Sequence, residues 1–136
     1  MEYMLMPLMR YFDFAGRSRR KEYWMFALLN LIIVTILVSL LLTFGYSLDP
    51  YGASAGGPVM WLIMALLGIY SLLILIPSIA VQVRRFHDQD KSGWFVLINF
   101  VPYIGGIIVL VFMLLEGTRG PNRYGPDPKE GLARGV

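Results

Sequence analysis

Two long stretches of the chain carry no charged side chain. They cover residues 24–44 and residues 59–83. Each meets the requirement of roughly 20 apolar residues for an α-helix that crosses the hydrocarbon core of a bilayer. Charged residues make up 15% of the chain, against roughly 25% in a soluble domain, so few polar side chains remain to cover a water-exposed surface. We therefore expect an all-α membrane protein, a single domain over residues 1–136, in which both stretches are transmembrane helices.

The third apolar stretch, residues 94–115, is interrupted in its middle. Pro102 to Gly106 reads Pro-Tyr-Ile-Gly-Gly, which is a turn signal rather than the interior of a helix. This element is therefore either a broken helical hairpin that enters the membrane and returns, or a single third span. The sequence favours the returning form and leaves both open. We expect residues 1–22 to form a basic interfacial segment and residues 116–136 to form a polar tail rich in Gly and Pro.

Lys and Arg residues are concentrated on one side of the predicted spans. They precede the first span and follow the second, whereas the loop over residues 45–58 has none. Basic residues in short loops stay on the cytoplasmic side of a membrane. We therefore predict a multi-pass protein whose amino terminus lies in the cytoplasm. The tail shares that side only if the third element returns.

Three polar stretches at the ends of the apolar runs carry a resemblance to a known family. Residues 14–24 read Phe-Ala-Gly-Arg-Ser-Arg-Arg-Lys-Glu-Tyr-Trp. Residues 83–94 contain Val-Arg-Arg-Phe-His-Asp and Ser-Gly-Trp, and residues 116–128 read Glu-Gly-Thr-Arg-Gly-Pro-Asn-Arg-Tyr-Gly-Pro-Asp-Pro. In this order they resemble the motifs of the DUF805 family of small bacterial inner-membrane proteins, with Phe86 where Leu is usual. The resemblance implies an inner-membrane location and supplies no reaction, because the family's biochemical role is undefined.

Charged and polar side chains of these stretches are candidates for one network at the cytoplasmic face. If the tail returns to that face, Glu22 and Asp88 are placed to pair with arginines of the second and third stretches. The full candidate set is Arg17, Arg20, Glu22, Arg84, Arg85, His87, Asp88, Arg119, Asn122, Arg123 and Asp127. The more ordinary interpretation of this set is that it fixes a turn and anchors it to lipid phosphates.

A compact basic cluster precedes the first span. Basic residues near a membrane surface each contribute about 1 kcal/mol of attraction to anionic lipid. We therefore expect anionic headgroups as partners, with a second copy of the chain or another membrane protein as further candidates. Nucleic acid is not expected, because the basic residues lie beside apolar runs. The lipid-binding candidates are Arg17, Arg19, Arg20 and Lys21.

Small residues recur at helical spacing inside both spans. Such residues let helices approach closely and form hydrogen bonds between them, although hydroxyl groups also bond to their own backbone. Asn30 and Asn99, polar within apolar runs, predict hydrogen bonds between helices. The candidate packing residues are Thr35, Ser39 and Thr43 in the first span and Gly68, Ser71 and Ser78 in the second.

The residue types that usually carry catalysis are scarce in this chain. It has no cysteine and one histidine, His87, so we predict no metal site, no cofactor and no catalytic residue. The sequence favours a non-enzymatic inner-membrane protein that acts through helix packing, contact with anionic lipid or a partner protein. Two alternatives stay open: a small oligomeric transport or channel component, and an enzyme that acts on lipid headgroups through His87 and Asp88.

Overall fold

The computed structural model describes residues 2–47 and 57–130, and the regular structure of these residues is helical. The all-α prediction is therefore confirmed. Residues 48–56, in the predicted loop between the spans, and residues 131–136, at the end of the predicted tail, lie outside the described residues. In chain order the helices are α1 (Glu2–Met9), α2 (Arg20–Ser47), α3 (Pro58–Asp88), a 3₁₀ helix (Gly93–Phe100) and α4 (Gly105–Leu114).

Two helices, α2 and α3, are long and apolar enough to cross a membrane. They have 28 and 31 residues and extend past the limits expected from the uncharged stretches. The extensions at the start of α2 and at the end of α3 are charged. The helix can continue through them because it satisfies its own backbone hydrogen bonds whatever its side chains are. Their apolar side chains are exposed, as in a helix that faces lipid: Leu31 and Leu72 are 63% and 71% exposed.

The chain divides into two compact units. The span unit is Ala27–Leu75, and the core unit comprises the residues up to Phe26 and those from Ile76 onward. Within the span unit the Tyr70 hydroxyl donates a hydrogen bond of 2.6 Å to Asn30 Oδ1. The prediction that Asn30 bonds between helices is confirmed.

The small residues assigned to a packing face are not brought together within the span unit. Thr35, Ser39, Thr43, Gly68 and Ser71 are all exposed. The Ser39 and Ser71 hydroxyls each donate to a backbone carbonyl of their own helix at 2.8 Å. These two hydroxyls therefore bond to their own backbone, which was the alternative to hydrogen bonds between helices. Packing of this face against another molecule stays a prediction.

Ser78, the remaining candidate packing residue, belongs to the core unit and is half-buried.

The third apolar element is broken where the sequence places a turn. The 3₁₀ helix ends at Phe100, and α4 begins at Gly105. A Cβ on Gly105 would overlap the carbonyl oxygen of Ile98, so glycine permits the close approach of the two arms. Since α4 has ten residues and rises about 15 Å, it is too short to cross a hydrocarbon core of about 30 Å.

An apolar core lies where α3, the 3₁₀ helix and α4 meet. Phe86 and Met113 are fully buried, and the Phe86 ring lies 5.9 Å from Phe95 and 5.8 Å from Phe112. Ser92 caps the 3₁₀ helix, accepting a hydrogen bond of 3.4 Å from the backbone of Trp94. This core holds the charged end of α3 in one place relative to α4 and the tail that follows it.

Candidate functional site

Among the described residues of the core unit, five charged side chains are buried. They come from the first two of the three polar stretches, 14–24 and 83–94. Burying a charge is costly unless it is paired and hydrogen-bonded. We call this set the ionic cluster: Arg17, Glu22, Arg84, Arg85 and Asp88, none more than 7% exposed.

One half of the ionic cluster joins the amino-terminal region to the end of α3. Arg84 Nη2 donates to Glu22 Oε1 at 3.0 Å, which is one of the pairings the sequence suggested. Arg84 also donates from Nε to Ser18 Oγ at 2.9 Å and from Nη1 to the Asp13 carbonyl at 2.6 Å. Each of the three guanidinium nitrogens thus has an acceptor: a carboxylate, a hydroxyl or a backbone carbonyl.

The other half joins both regions to the tail through Asp88. Its Oδ1 accepts from Arg17 Nε at 2.9 Å, and its Oδ2 accepts from Arg85 Nη1. Arg17 continues to the tail, donating to the carbonyls of Gly120, at 2.7 Å, and Thr118. The role of Arg17 as a partner of Asp88 was not among the predicted pairings.

The tail approaches Asp88 closely. The Thr118 backbone donates to the Asp88 carbonyl at 2.7 Å, and Arg85 Nη2 donates to the Leu115 carbonyl. A Cβ on Gly117 would overlap the Asp88 carboxylate. Glycine is therefore needed at this position for steric reasons.

His87 packs against the tail. Its ring is stacked on Tyr124 with centroids 3.9 Å apart and planes 5° apart, and its Nδ1 lies 3.2 Å from the carbonyl oxygen of Gly16. Asn122 Nδ2 donates to the His87 carbonyl at 2.9 Å. The neighbouring Asp88 has both oxygens engaged by Arg17 and Arg85, so this carboxylate is not free to share a proton with His87.

The remaining candidates lie at the rim of the ionic cluster. Arg20 pairs with Glu116 at 2.7 Å, and Arg123 pairs with Asp90 at 3.1 Å. Arg119 is 94% exposed, and its nearest carboxylate oxygen is 4.0 Å away. Neither Arg119 nor Arg123 pairs with Glu22 or Asp88 in the structure. Of the four arginines offered as alternative partners, Arg84 pairs with Glu22 and Arg85 pairs with Asp88.

Asp127 organises the tail itself. Its carboxylate accepts from the backbone amides of Lys129, at 2.9 Å, and Gly120, at 3.0 Å. These hydrogen bonds hold the pKa of Asp127 below its ordinary value of 3.8, and the bond from Lys129 has the larger effect. The carboxylate shapes a turn, and its hydrogen bonds go to tail amides rather than to the ionic cluster.

The sequence missed several contributors because they act through backbone or hydroxyl groups. Ser18 is fully buried against Arg84, and Thr118 binds the Asp88 carbonyl through both its amide and its hydroxyl. A backbone carbonyl has no sequence signature, so the acceptors of Arg17 could not be predicted.

The ionic cluster carries more positive than negative charge. It contains three guanidinium groups and two carboxylates, and backbone carbonyls supply the other acceptors. Among the described residues Arg85 Nε is a buried donor without a hydrogen-bond partner. The buried cluster is therefore not neutralised by its own side chains.

A cavity of about 300 Å³ adjoins the ionic cluster, and we call it the basic cleft. Four cationic side chains line it, together with Tyr3 of α1, Gly117 and Asp88: Arg19, Arg20, Lys21 and Lys129. Three of these belong to the predicted lipid-binding set. The fourth member of that set, Arg17, instead lines a neighbouring cavity of about 250 Å³ that shares Tyr3 and Arg19.

Comparisons with known proteins agree on one family. The DUF805 family, described as a protein of unknown function, matches residues 11–126. The inner membrane protein YhaH of Escherichia coli K12 is 43% identical over 129 residues, covering 95% of this chain and 98% of that protein. The inner membrane protein YhaI of the same strain is 44% identical over 131 residues, covering 96% and 98%. The uncharacterized protein YiiR is 26% identical over 144 residues, 88% of each chain. No solved structure matches.

Proposed function

The chain belongs to the DUF805 family, and from this membership and the ionic cluster we propose a non-catalytic function at the cytoplasmic face of the inner membrane. In this proposal α2 and α3 cross the membrane, and the amino-terminal region and the tail both lie in the cytoplasm. The cytoplasmic residues form a fixed polar module that contacts anionic lipid headgroups.

The observation that carries the proposal is the set of bonds made by Arg17. This residue precedes α2, yet it binds Asp88 at the end of α3 and the tail carbonyls of Thr118 and Gly120. Residues joined in this way must lie on the same side of a membrane. Two crossings by α2 and α3 keep the ends of the chain on one side, and the basic residues favour the cytoplasmic side.

The non-catalytic part of the proposal rests on how the titratable groups are used. Asp88 and Glu22 are buried and bound by arginines, and His87 is stacked on Tyr124. An acid–base catalyst needs a group within hydrogen-bond reach of its substrate. These groups are instead engaged in holding three segments of the chain together.

Cysteine labelling tests the topology, and the chain has no native cysteine to interfere. Single cysteines replace Ser54, between the spans, Ser92, after α3, and Glu130, in the tail. With a membrane-impermeant maleimide on spheroplasts, we expect Ser54→Cys alone to react. Ser92→Cys and Glu130→Cys should react only after permeabilisation. Labelling of Glu130→Cys from outside would contradict the proposal.

A further inference from the structure

The cationic side chains of the basic cleft are only partly ion-paired by the described residues. Arg20 is paired with Glu116, but within the described part of the chain Arg19, Lys21 and Lys129 make no ion pair. These three side chains come from two segments far apart in sequence and face one cavity. Like charges gathered in this way repel one another unless an anion lies between them.

The floor of the basic cleft is continuous with the ionic cluster. Asp88 lines the cleft, but both of its oxygens are bound by Arg17 and Arg85. The cluster behind it has a surplus guanidinium, and the Nε of Arg85 is a buried donor with no partner among the described residues. An anion in the cleft would lie beside this buried surplus charge and would lower its cost.

The surroundings of the basic cleft are those of a membrane interface. Lys21 lies in the first turn of α2, which continues directly into an apolar span. On the other side α1 contributes Tyr3 to the cleft and exposes Leu5, at 50%, and Met9, at 83%. A helix with exposed apolar side chains beside a cationic surface is typical of a segment that lies at the level of lipid headgroups.

We propose that the basic cleft binds the phosphate group of an anionic phospholipid. Arg19, Lys21 and Lys129 neutralise the phosphate, and the apolar side chains of α1 lie beside the acyl chains. A volume of about 300 Å³ is at the lower end of the range of small-molecule sites, which suits a headgroup rather than a whole lipid. This inference rests on the proposed function and turns its diffuse lipid contact into a defined site.

Titration of the purified full-length protein in a neutral detergent tests the site. The probe is a short-chain phosphatidylglycerol, compared with phosphatidylcholine of the same chain length, and the heat of binding gives Kd. Lys129→Gln and Arg19→Gln should each weaken phosphatidylglycerol binding about fivefold, the equivalent of about 1 kcal/mol per basic residue at an anionic surface. The double variant should lose about 25-fold by the same arithmetic.

Arg119→Gln is the matched control. It removes the same charge from the same tail, but its side chain is 94% exposed and does not line the cleft. Its Kd should stay within about twofold of the unsubstituted protein, since an exposed charge in water interacts weakly. Equal losses for Lys129→Gln and Arg119→Gln would overturn the proposal, because they would indicate diffuse attraction.

Competition experiments distinguish a phospholipid from free phosphate, and further measurements distinguish the cleft site from the proposed topology. Inorganic phosphate and glycerol 3-phosphate should compete weakly, and competition as strong as that of the lipid would overturn the assignment to a phospholipid. Unaltered thermal unfolding of the variants shows that weaker binding is not loss of fold. Binding in detergent does not depend on membrane orientation, so cleft binding together with an external tail would refute the topology alone.

Discussion

Removing the charge of Glu22 should destabilise the core unit strongly. The Arg84 and Glu22 side chains are 0% and 4% exposed, with their charged atoms 3.0 Å apart. Breaking one partner of such a buried pair costs about 3–5 kcal/mol. Glu22→Gln keeps an amide oxygen that can still accept from Arg84, so we expect the lower end of the range, about 3 kcal/mol.

The double variant makes this prediction specific to the pair. Arg84→Met alone leaves the Glu22 carboxylate buried without its partner and should cost about 3–5 kcal/mol. Glu22→Gln with Arg84→Met removes both charges, so its cost should fall below the sum of the two single costs by about 2 kcal/mol, within the range seen for residues in contact. Detergent-solubilised protein is unfolded with SDS, and far-UV circular dichroism follows the transition.

Asp90→Asn provides the control for an exposed pair. Asp90 and Arg123 are 44% and 62% exposed, where ion pairs contribute about 0–1 kcal/mol. Asp90 has a φ of 57°, a left-handed conformation that Asn also tolerates. If Glu22→Gln costs no more than Asp90→Asn, or if the double variant is additive, then the buried pair does not hold the core unit together.

Three further perturbations test separate contacts. Gly117→Ala should lower the thermal unfolding temperature because its Cβ would overlap the Asp88 carboxylate. Gly106→Ala, in α4 with open space around it, should leave that temperature unchanged or slightly higher. The lowered pKa of Asp127 stabilises the tail at pH values above 3.8, and this stabilisation is lost as pH falls through the folded-state pKa. The protection of the tail amides from hydrogen exchange, relative to their intrinsic exchange rate at each pH, should therefore fall as the carboxylate is protonated, and Asp127→Asn should abolish this fall. Tyr70→Phe removes the hydrogen bond to Asn30 and should cost about 0.6 kcal/mol of unfolding free energy, the average for hydrogen bonds between membrane helices. An unchanged midpoint of unfolding by SDS would contradict that contact.

The spans could be predicted because their signal is length and absence of charge. Residues 24–44 and 59–83 identify α2 and α3, but α2 begins and α3 ends in charged sequence that no hydropathy argument assigns to them. The break in the third element was also readable, since Pro102 and Gly105 each carry a steric reason for a turn.

The candidate site could be predicted only in composition. The sequence indicated that Glu22, Asp88 and the arginines of α3 belong together, because opposite charges at helix ends must be paired. It could not select Arg17 over Arg119 as a partner of Asp88, since that choice depends on how the tail folds back. The tail is held there by the backbone carbonyls of Thr118 and Gly120. Since every residue type has a backbone carbonyl, the sequence does not identify these acceptors.

For the face of small residues on α2, the sequence predicted the face but not what it contacts. Thr35, Ser39 and Thr43 lie on one side of α2 by spacing alone, but spacing does not say whether that side meets protein or lipid. The structure leaves all three exposed. Hydroxyl groups that can bond to their own helix carry no information about a neighbour.

Hydrogen exchange of the tail tests most directly whether the ionic cluster holds three segments together. In protein reconstituted into nanodiscs, the account predicts slow exchange at the Thr118 amide, which donates to the Asp88 carbonyl at 2.7 Å. In Asp88→Asn that amide should exchange rapidly while the amides of the membrane spans stay protected, and Asp90→Asn should keep the protection. Rapid exchange at Thr118 in the unsubstituted protein, or equal protection in Asp88→Asn, would contradict the account.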